Sequence, residues 1–253
     1  MSGASSDAVT AMVLAAVVLV VCVIWALARG EALGRRYGLP SNAPLPMRSV
    51  VPSALTLAWG TALIGAAAFY VGSLLTPGAG VLVEPVIGMG LASSGVAIAG
   101  AGWILLLVDA RTQKLPTEVI GLVGACVVAA WGIYLIVLAA RGQLDSTAAT
   151  AAILSPVVGA GIWLLPTALG VRLSGMGKGD LRMAPVLGFA LGTTSVPLSL
   201  VGLMIAFLLA GGRAVILWRQ TRARTTRFAM GPYLLIGAWT AWGWGAVGPV
   251  LLV

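Results

Sequence analysis

Apolar residues fall along this chain in long blocks, not in an alternating or one-sided pattern. Blocks of about 20 residues recur from one end to the other, the length that spans a bilayer core. They predict helices over residues 9–28, 51–75, 82–108, 116–140, 146–170, 181–194, 196–217 and 229–252. The expected fold is therefore all-α, a polytopic transmembrane helix bundle of about eight helices. A membrane β-barrel would show short segments of alternating polarity instead. The sixth stretch is the shortest and ends in Gly192-Thr193-Thr194-Ser195-Val196-Pro197, a turn-prone run. It reads either as a half-length helix or as one fused with the next. Residues 1–80 form an N-terminal pair of helices with a basic loop between them, and residues 81–253 form a core that carries the candidate chemistry.

The polar residues between the blocks give the orientation. Arg29, Arg35, Arg36 and Arg48 lie in the first link, and Arg111 and Lys114 follow the third helix. Arg172, Lys178 and Arg182 precede or open the sixth, and Arg213, Arg219, Arg222, Arg224 and Arg227 precede the eighth. The alternate links hold Arg141 alone, so fourteen of the fifteen basic residues share one side. Positively charged loops stay in the cytoplasm. Both termini are then expected outside, in an inner (cytoplasmic) membrane protein. The N-terminus Met1-Ser2-Gly3-Ala4-Ser5-Ser6-Asp7 has no basic residue ahead of its apolar run, which reads as an anchor, not a cleaved signal.

Composition sharpens this picture. Only 9% of residues are charged and 60% are hydrophobic, whereas a soluble domain carries about a quarter charged residues. A net charge of +8 suggests nucleic acid, but the cations sit between apolar runs and form no basic face with aromatics. The lipid bilayer is the expected surrounding and nucleic acid is not an expected partner. Histidine is absent and the two cysteines, Cys22 and Cys126, sit inside apolar runs, where small helix-facing or lipid-facing roles suffice. His-based triads and CxxC zinc sites are excluded. Glycine is abundant, with 34 residues, and spacings such as Gly121-x-x-Gly124 and Gly88-x-Gly90 suit close helix packing in lipid.

Seven acids remain as candidate chemistry. Asp7 and Glu31 lie outside the blocks, while Glu84 and Asp145 sit at the outer side. Asp109, Glu118 and Asp180 fall at the cytoplasmic edge, where an ionisable residue is a functional candidate. Asp109 ends the run Trp103-Ile104-Leu105-Leu106-Leu107-Val108-Asp109, and Pro116 opens the next helix, where its missing N–H costs nothing. Asp180 follows Gly175-Met176-Gly177-Lys178-Gly179, whose glycines permit close approach of a bound chain. The two aspartates are about seventy residues apart, at one depth. Helices that pack together bring such carboxyls within reach of one water. Two adjacent carboxyls share a proton, so one acts as base toward water and the other polarises a carbonyl. The bland alternatives stand beside this: Asp180 as a helix cap, Asp109 as a partner of Arg111 or Lys114, and Glu118 as an acid placed for the helix dipole.

Gly175-Met176-Gly177-Lys178-Gly179-Asp180-Leu181-Arg182 resembles the GxGD motif of type IV prepilin peptidases, which usually reads GMGxGDxK before an Ala-rich, Leu-Gly segment. Met183-Ala184-Pro185-Val186-Leu187-Gly188 matches that continuation. Val108-Asp109 to Leu115-Pro116 resembles the family's first aspartate motif, and Arg227-Phe228-Ala229-Met230-Gly231-Pro232-Tyr233 resembles its Pro-Phe-Gly-Pro-Phe segment. Order and spacing agree over residues 85–253. Arg182 stands where Lys is usual and keeps the charge.

The resemblance implies a membrane aspartyl endopeptidase with Asp109 and Asp180 catalytic. Gly177, Lys178, Gly179, Arg182, Pro116, Gly231 and Pro232 would support the motifs. It needs no cofactor. The implied substrates are prepilins or pseudopilins of a type IV pilus or secretion system, cut after a short basic leader at the cytoplasmic face. Many family members carry a cysteine-rich cytoplasmic loop linked to N-methylation. Residues 29–50 have no cysteine, so cleavage without methyl transfer is expected. A protease of the presenilin kind would have Tyr before its first aspartate, where Val108 stands. The reading from another class is a non-enzymatic membrane component or a transporter, which accounts for the apolar bulk but not for three ordered motifs.

Overall fold

The computed structural model describes residue 102 and residues 117–140, 142, 144–174, 176–221 and 230–251. Within these residues all regular structure is helical: α1 Thr117–Ala140, α2 Ser146–Ser174, α3 Lys178–Gly192, α4 Val196–Thr221 and α5 Gly231–Leu251. These match the last five predicted stretches to within four residues at each end. The first three stretches, and with them the expected pair at 1–80, lie outside the described residues except for Gly102, which is helical and buried against Leu235 of α5. Residues 88 and 90 lie outside them as well.

Local signals set the helix ends. Gly142 adopts φ +66°, the left-handed region that favours glycine, and its N–H donates to Ala139 O just past the end of α1. The Ser195 hydroxyl accepts from Leu198 N at 3.2 Å and caps α4. That cap, with the Thr193-Thr194 turn, makes α3 and α4 separate helices and resolves the ambiguity at the sixth stretch. Pro232 occupies the second position of α5, where no intrahelical acceptor awaits its missing N–H. Pro156 lies in the middle of α2 and removes the donor that Ala152 O would use. The Trp131 indole of α1 donates to that carbonyl at 3.2 Å. The same ring meets Phe189 of α3 edge to face at 5.5 Å.

Helix α3 is central and packs against all four others. It has 15 residues, eight of them buried, and at about 1.5 Å per residue its length of roughly 22 Å falls short of a bilayer core of about 30 Å. Its tightest crossing is with α2. Gly159 faces Gly188 and Gly192 with backbone against backbone; a Cβ at Gly159 would lie 2.9 Å from Gly192 Cα and closer still to Gly188 O. Ser199 of α4 reaches this crossing, its hydroxyl within 3.4 Å of Gly159 O and 3.3 Å of Gly188 O. Trp163 Nε1 donates to Ser199 O at 2.8 Å, and Ser155 Oγ donates to Gly192 O at 2.6 Å. Gly121 and Gly124, the expected packing pair, behave otherwise. A Cβ at Gly121 would meet nothing within 4 Å, and one at Gly124 would make only ordinary contact with Val186. The close approach uses the glycines of α2 and α3 because those helices cross at the centre, while Gly121 sits on an exposed face of α1.

The direction of each helix follows from its contacts. Thr117, Gly124 and Trp131 meet Arg182, Val186 and Phe189 in order, so α1 and α3 run parallel. Helix α2 runs against both, and α5 runs against α4, with Gly245 near Leu198 and Gly237 near Ala206. One end of the bundle therefore gathers the starts of α1, α3 and α5 and the ends of α2 and α4. The five basic residues among the described residues, Arg172, Lys178, Arg182, Arg213 and Arg219, all belong to the halves of their helices nearer this end.

The interior is mainly apolar, with Trp163, Met183, Leu191, Leu234 and Trp242 fully buried, and large apolar side chains also cover the outside. Buried polar residues are Thr167, Asp180 and Ser199, whereas Leu165, Leu173, Leu208 and Ile136 are each more than two-thirds exposed. Residues Ala149–Leu173 of α2 and Val196–Gln220 of α4 are long and apolar enough to cross a membrane, and in each only 22% of the most apolar window is buried.

Candidate functional site

Asp180 is placed by the start of α3. The helix begins at Lys178, three residues earlier than the apolar pattern suggests, because its first turn carries the polar residues of the glycine-rich segment. Gly177 is the N-cap, with φ −64° and ψ 140° and no side-chain cap bond. Asp180 is therefore the third helical residue, and its N–H approaches Gly177 O at 3.2 Å. It does not cap the helix from outside, as one sequence reading allows; it lies in the first turn, where backbone N–H dipoles favour an anionic side chain.

Burial sets Asp180 apart. It is 5% exposed, while its neighbours Gly177, Lys178 and Arg182 are exposed and Gly179 is half-buried. A carboxyl loses favourable hydration on burial, so a buried one is a costly feature unless its surroundings compensate it. Gly177 is extended and has no positive φ, so what glycine supplies here is space beside Asp180. A Cβ at Gly177 would stand 3.2 Å from Asp180 Oδ2, tighter than ordinary contact. The carboxylate thus folds back across the bare Cα of the cap. Two of the three residues before Asp180 lack side chains, which leaves the backbone of this turn open to another chain.

Arg182 points the other way. Positions two apart on a helix do not face each other, and Arg182 is exposed where Asp180 is buried. Its Nη1 donates to Thr117 Oγ1 at 2.6 Å, which ties the start of α3 to the start of α1. Glu118 occupies the first turn of α1, as expected of an acid at the positive end of a helix. Gly231 is buried and Pro232 half-buried at the start of α5, at the same end of the bundle as Asp180.

Among the expected site residues, then, Gly177, Lys178, Gly179, Asp180 and Arg182 share one turn, and Gly231 and Pro232 share their end. Asp109 and Pro116 lie outside the described residues. Thr117 was not singled out from the sequence. A threonine after a proline at a helix start is common chemistry, and only the packing of α1 along α3 brings it to Arg182. No sequence motif marks Ser199 or Thr167, and each has a structural use: Ser199 at the helix crossing and Thr167 donating to Trp163 O at 2.7 Å. Neither adds to the chemistry around Asp180. Cys126 is buried in α1, as a small helix-facing residue.

What this turn offers is a buried carboxyl beside a cap that bears no side chain, at the end of the bundle where the described cations and the starts of α1, α3 and α5 collect. Comparison with known proteins adds no relative: no family model, no curated protein and no solved structure matches this chain.

Proposed function

We propose that this chain is a polytopic membrane aspartyl endopeptidase that cleaves the leader of type IV prepilins or pseudopilins at the cytoplasmic membrane face. The observation that carries the proposal is the burial of Asp180 in the first turn of α3, beside a glycine cap that bears no side chain. A purely structural acid at a helix start is cheaper to keep exposed. The three sequence motifs supply the substrate class, and Asp109 supplies the second carboxyl.

The bundle supports a membrane setting. Large apolar side chains are exposed along α2 and α4, and the described cations gather toward one end. With the fourteen-to-one split of basic residues over the whole chain, this end is the cytoplasmic one in an eight-helix inner-membrane protein with both termini outside. Gly102 packs beside Leu235, four residues into α5. Asp109 follows Gly102 by seven residues.

The chemistry is a shared-proton dyad. The ionised carboxylate takes a proton from water as its oxygen bonds to the scissile carbonyl carbon. The protonated carboxyl gives its proton to the carbonyl oxygen. Collapse of the resulting gem-diol breaks the C–N bond: the leaving nitrogen takes the proton held by the first carboxylate, and one gem-diol hydroxyl returns its proton to the second as the C=O bond re-forms. Each aspartate has a task the other cannot perform at the same time.

Co-expression with a prepilin tests the proposal. The wild type shortens the prepilin by its leader, while Asp109→Asn and Asp180→Asn each abolish cleavage in protein that still inserts. Cleavage by either variant at near wild-type rate removes that residue from the mechanism. A wild type that cleaves no prepilin leaves a non-enzymatic membrane component or a transporter.

A further inference from the structure

The turn between α3 and α4, Thr193-Thr194-Ser195, does not reach as far as its neighbours. Ser155 Oγ donates to Gly192 O, so the end of α3 lies level with Ser155 of α2. Helix α2 begins nine residues earlier, about 14 Å farther out. On another side Gly245 of α5 packs beside Leu198, and α5 runs on six residues past it, about 9 Å. The cations measure the depth. Seventeen residues separate Ser155 from Arg172 on α2, and seventeen separate Val196 from Arg213 on α4, about 26 Å of helix in each case. A bilayer core is about 30 Å thick. With Arg172 and Arg213 at one headgroup layer, the turn stops short of the other.

This turn is nonetheless rich in hydroxyls. Thr193 Oγ1 donates to Ala190 O at 2.7 Å, and Ser195 Oγ accepts from Leu198 N. Thr194 Oγ1 is buried and makes no hydrogen bond among the described residues. A hydroxyl deprived of both water and a protein acceptor is costly. All three residues are half-buried, so the turn is not sealed over. Irregular backbone at membrane depth is tolerated where protein covers it or where it lines a water-filled cavity.

We propose that the α3–α4 turn floors a water-filled recess, open on the face opposite the cation-rich end, in which Thr194 binds a water. The inference rests on the bilayer setting and not on the peptidase chemistry. The turn carries hydroxyls and no charged side chain, which suits water and not an ion. A water that reaches Thr194 finds its other partners in the water behind it. Without the recess, three hydroxyl-bearing residues and a helix junction would face hydrocarbon.

The test uses the full chain in spheroplasts, with Cys126→Ser and Cys22→Ser as background and a sulfonate-bearing thiol reagent that does not cross lipid. Thr193→Cys and Ser195→Cys should react at least about 10-fold faster than Leu154→Cys or Leu208→Cys, because the thiolate that reacts forms in water and not in lipid. Leu154 adjoins Ser155 but is exposed, and Leu208 is exposed midway along α4. Turn cysteines as slow as Leu154→Cys overturn the recess. A Leu154→Cys as fast as the turn shows a locally thinned bilayer in its place and also overturns it. A Leu208→Cys as fast as the turn rejects the bilayer setting itself. Thr194→Val gives a second readout that needs no cysteine. A hydrated hydroxyl gains nothing by removal, so the variant should unfold at no higher SDS fraction than wild type. A variant more stable than wild type shows a dry hydroxyl and overturns the bound water.

Discussion

Replacing Gly159 with alanine puts one methyl group where α2 crosses α3. There its Cβ would lie 2.9 Å from Gly192 Cα, 3.2 Å from Ser199 Oγ and nearer still to Gly188 O. Two of these three atoms are backbone, so no rotamer change relieves the contact and the helices themselves must separate. Overpacking of this kind costs about 1–3 kcal/mol. Alanine gains about 1 kcal/mol over glycine in a helix, which leaves a net loss of about 0–2 kcal/mol. Gly161, two residues along the same helix, is the control, because a Cβ there meets nothing within 4 Å. Only the propensity gain applies, so Gly161→Ala should stabilise by about 0.5–1 kcal/mol. The two variants share the propensity gain and should differ by the overpacking cost alone, roughly 1–3 kcal/mol, a factor of about 5 to 140 in the unfolding equilibrium at about 1.4 kcal/mol per tenfold. Unfolding by SDS titration in mixed micelles, followed by tryptophan fluorescence, reads both. A Gly159→Ala variant as stable as Gly161→Ala would show that α2 and α3 do not meet backbone to backbone, and would refute the crossing that holds α3 in place.

Gly177→Ala should slow prepilin cleavage about 3–10-fold at normal expression, because the Asp180 carboxylate must shift by tenths of an ångström; initial rates check it, and wild-type rates contradict the close approach. Trp131→Phe should destabilise by about 1 kcal/mol through loss of the donor to Ala152 O. The loss should shrink in a Pro156→Ala background, where residue 156 regains an N–H for that carbonyl, so a full-size loss there argues against the pairing. Both termini should face away from the cytoplasm; a reporter after Val253 that works only in the cytoplasm reverses the orientation. Mature pilin from a host lacking other prepilin peptidases should carry a free N-terminal amine, since residues 29–50 hold no cysteine to bind a metal-stabilised fold. A methyl group in its mass spectrum that depends on this chain rejects that expectation.

Helix type and extent were legible in the sequence because an uninterrupted apolar run leaves the backbone one economical way to satisfy its polar groups, within its own helix. The stretch 146–170 became α2 with its start unchanged, and the Ser195-Val196-Pro197 signal marked the start of α4 correctly. The sign of the charges at each link was also local information, and it anticipated the end of the bundle where the described cations collect. Asp180 was legible as a candidate because an acid next to an apolar run is costly wherever that run packs.

What the linear pattern lacked was any measure of approach between helices. An all-round apolar helix gives no stripe to say which face turns inward, so Gly121 and Gly159 look equivalent as letters. Only the crossing of α2 over α3 makes Gly159 indispensable and leaves Gly121 bare. Whether Asp180 caps its helix or sits inside the first turn was likewise undecided, because glycine allows either start. In the structure α3 begins at Lys178, and the carboxyl in its first turn is buried. The hydrogen bond of Thr117 to Arg182 joins residues 65 apart, and no local propensity encodes a distance of that kind. Composition determined the solvent this chain suits and the segments that become helices; the tertiary packing decided which few polar groups are held in the interior and which backbone they face.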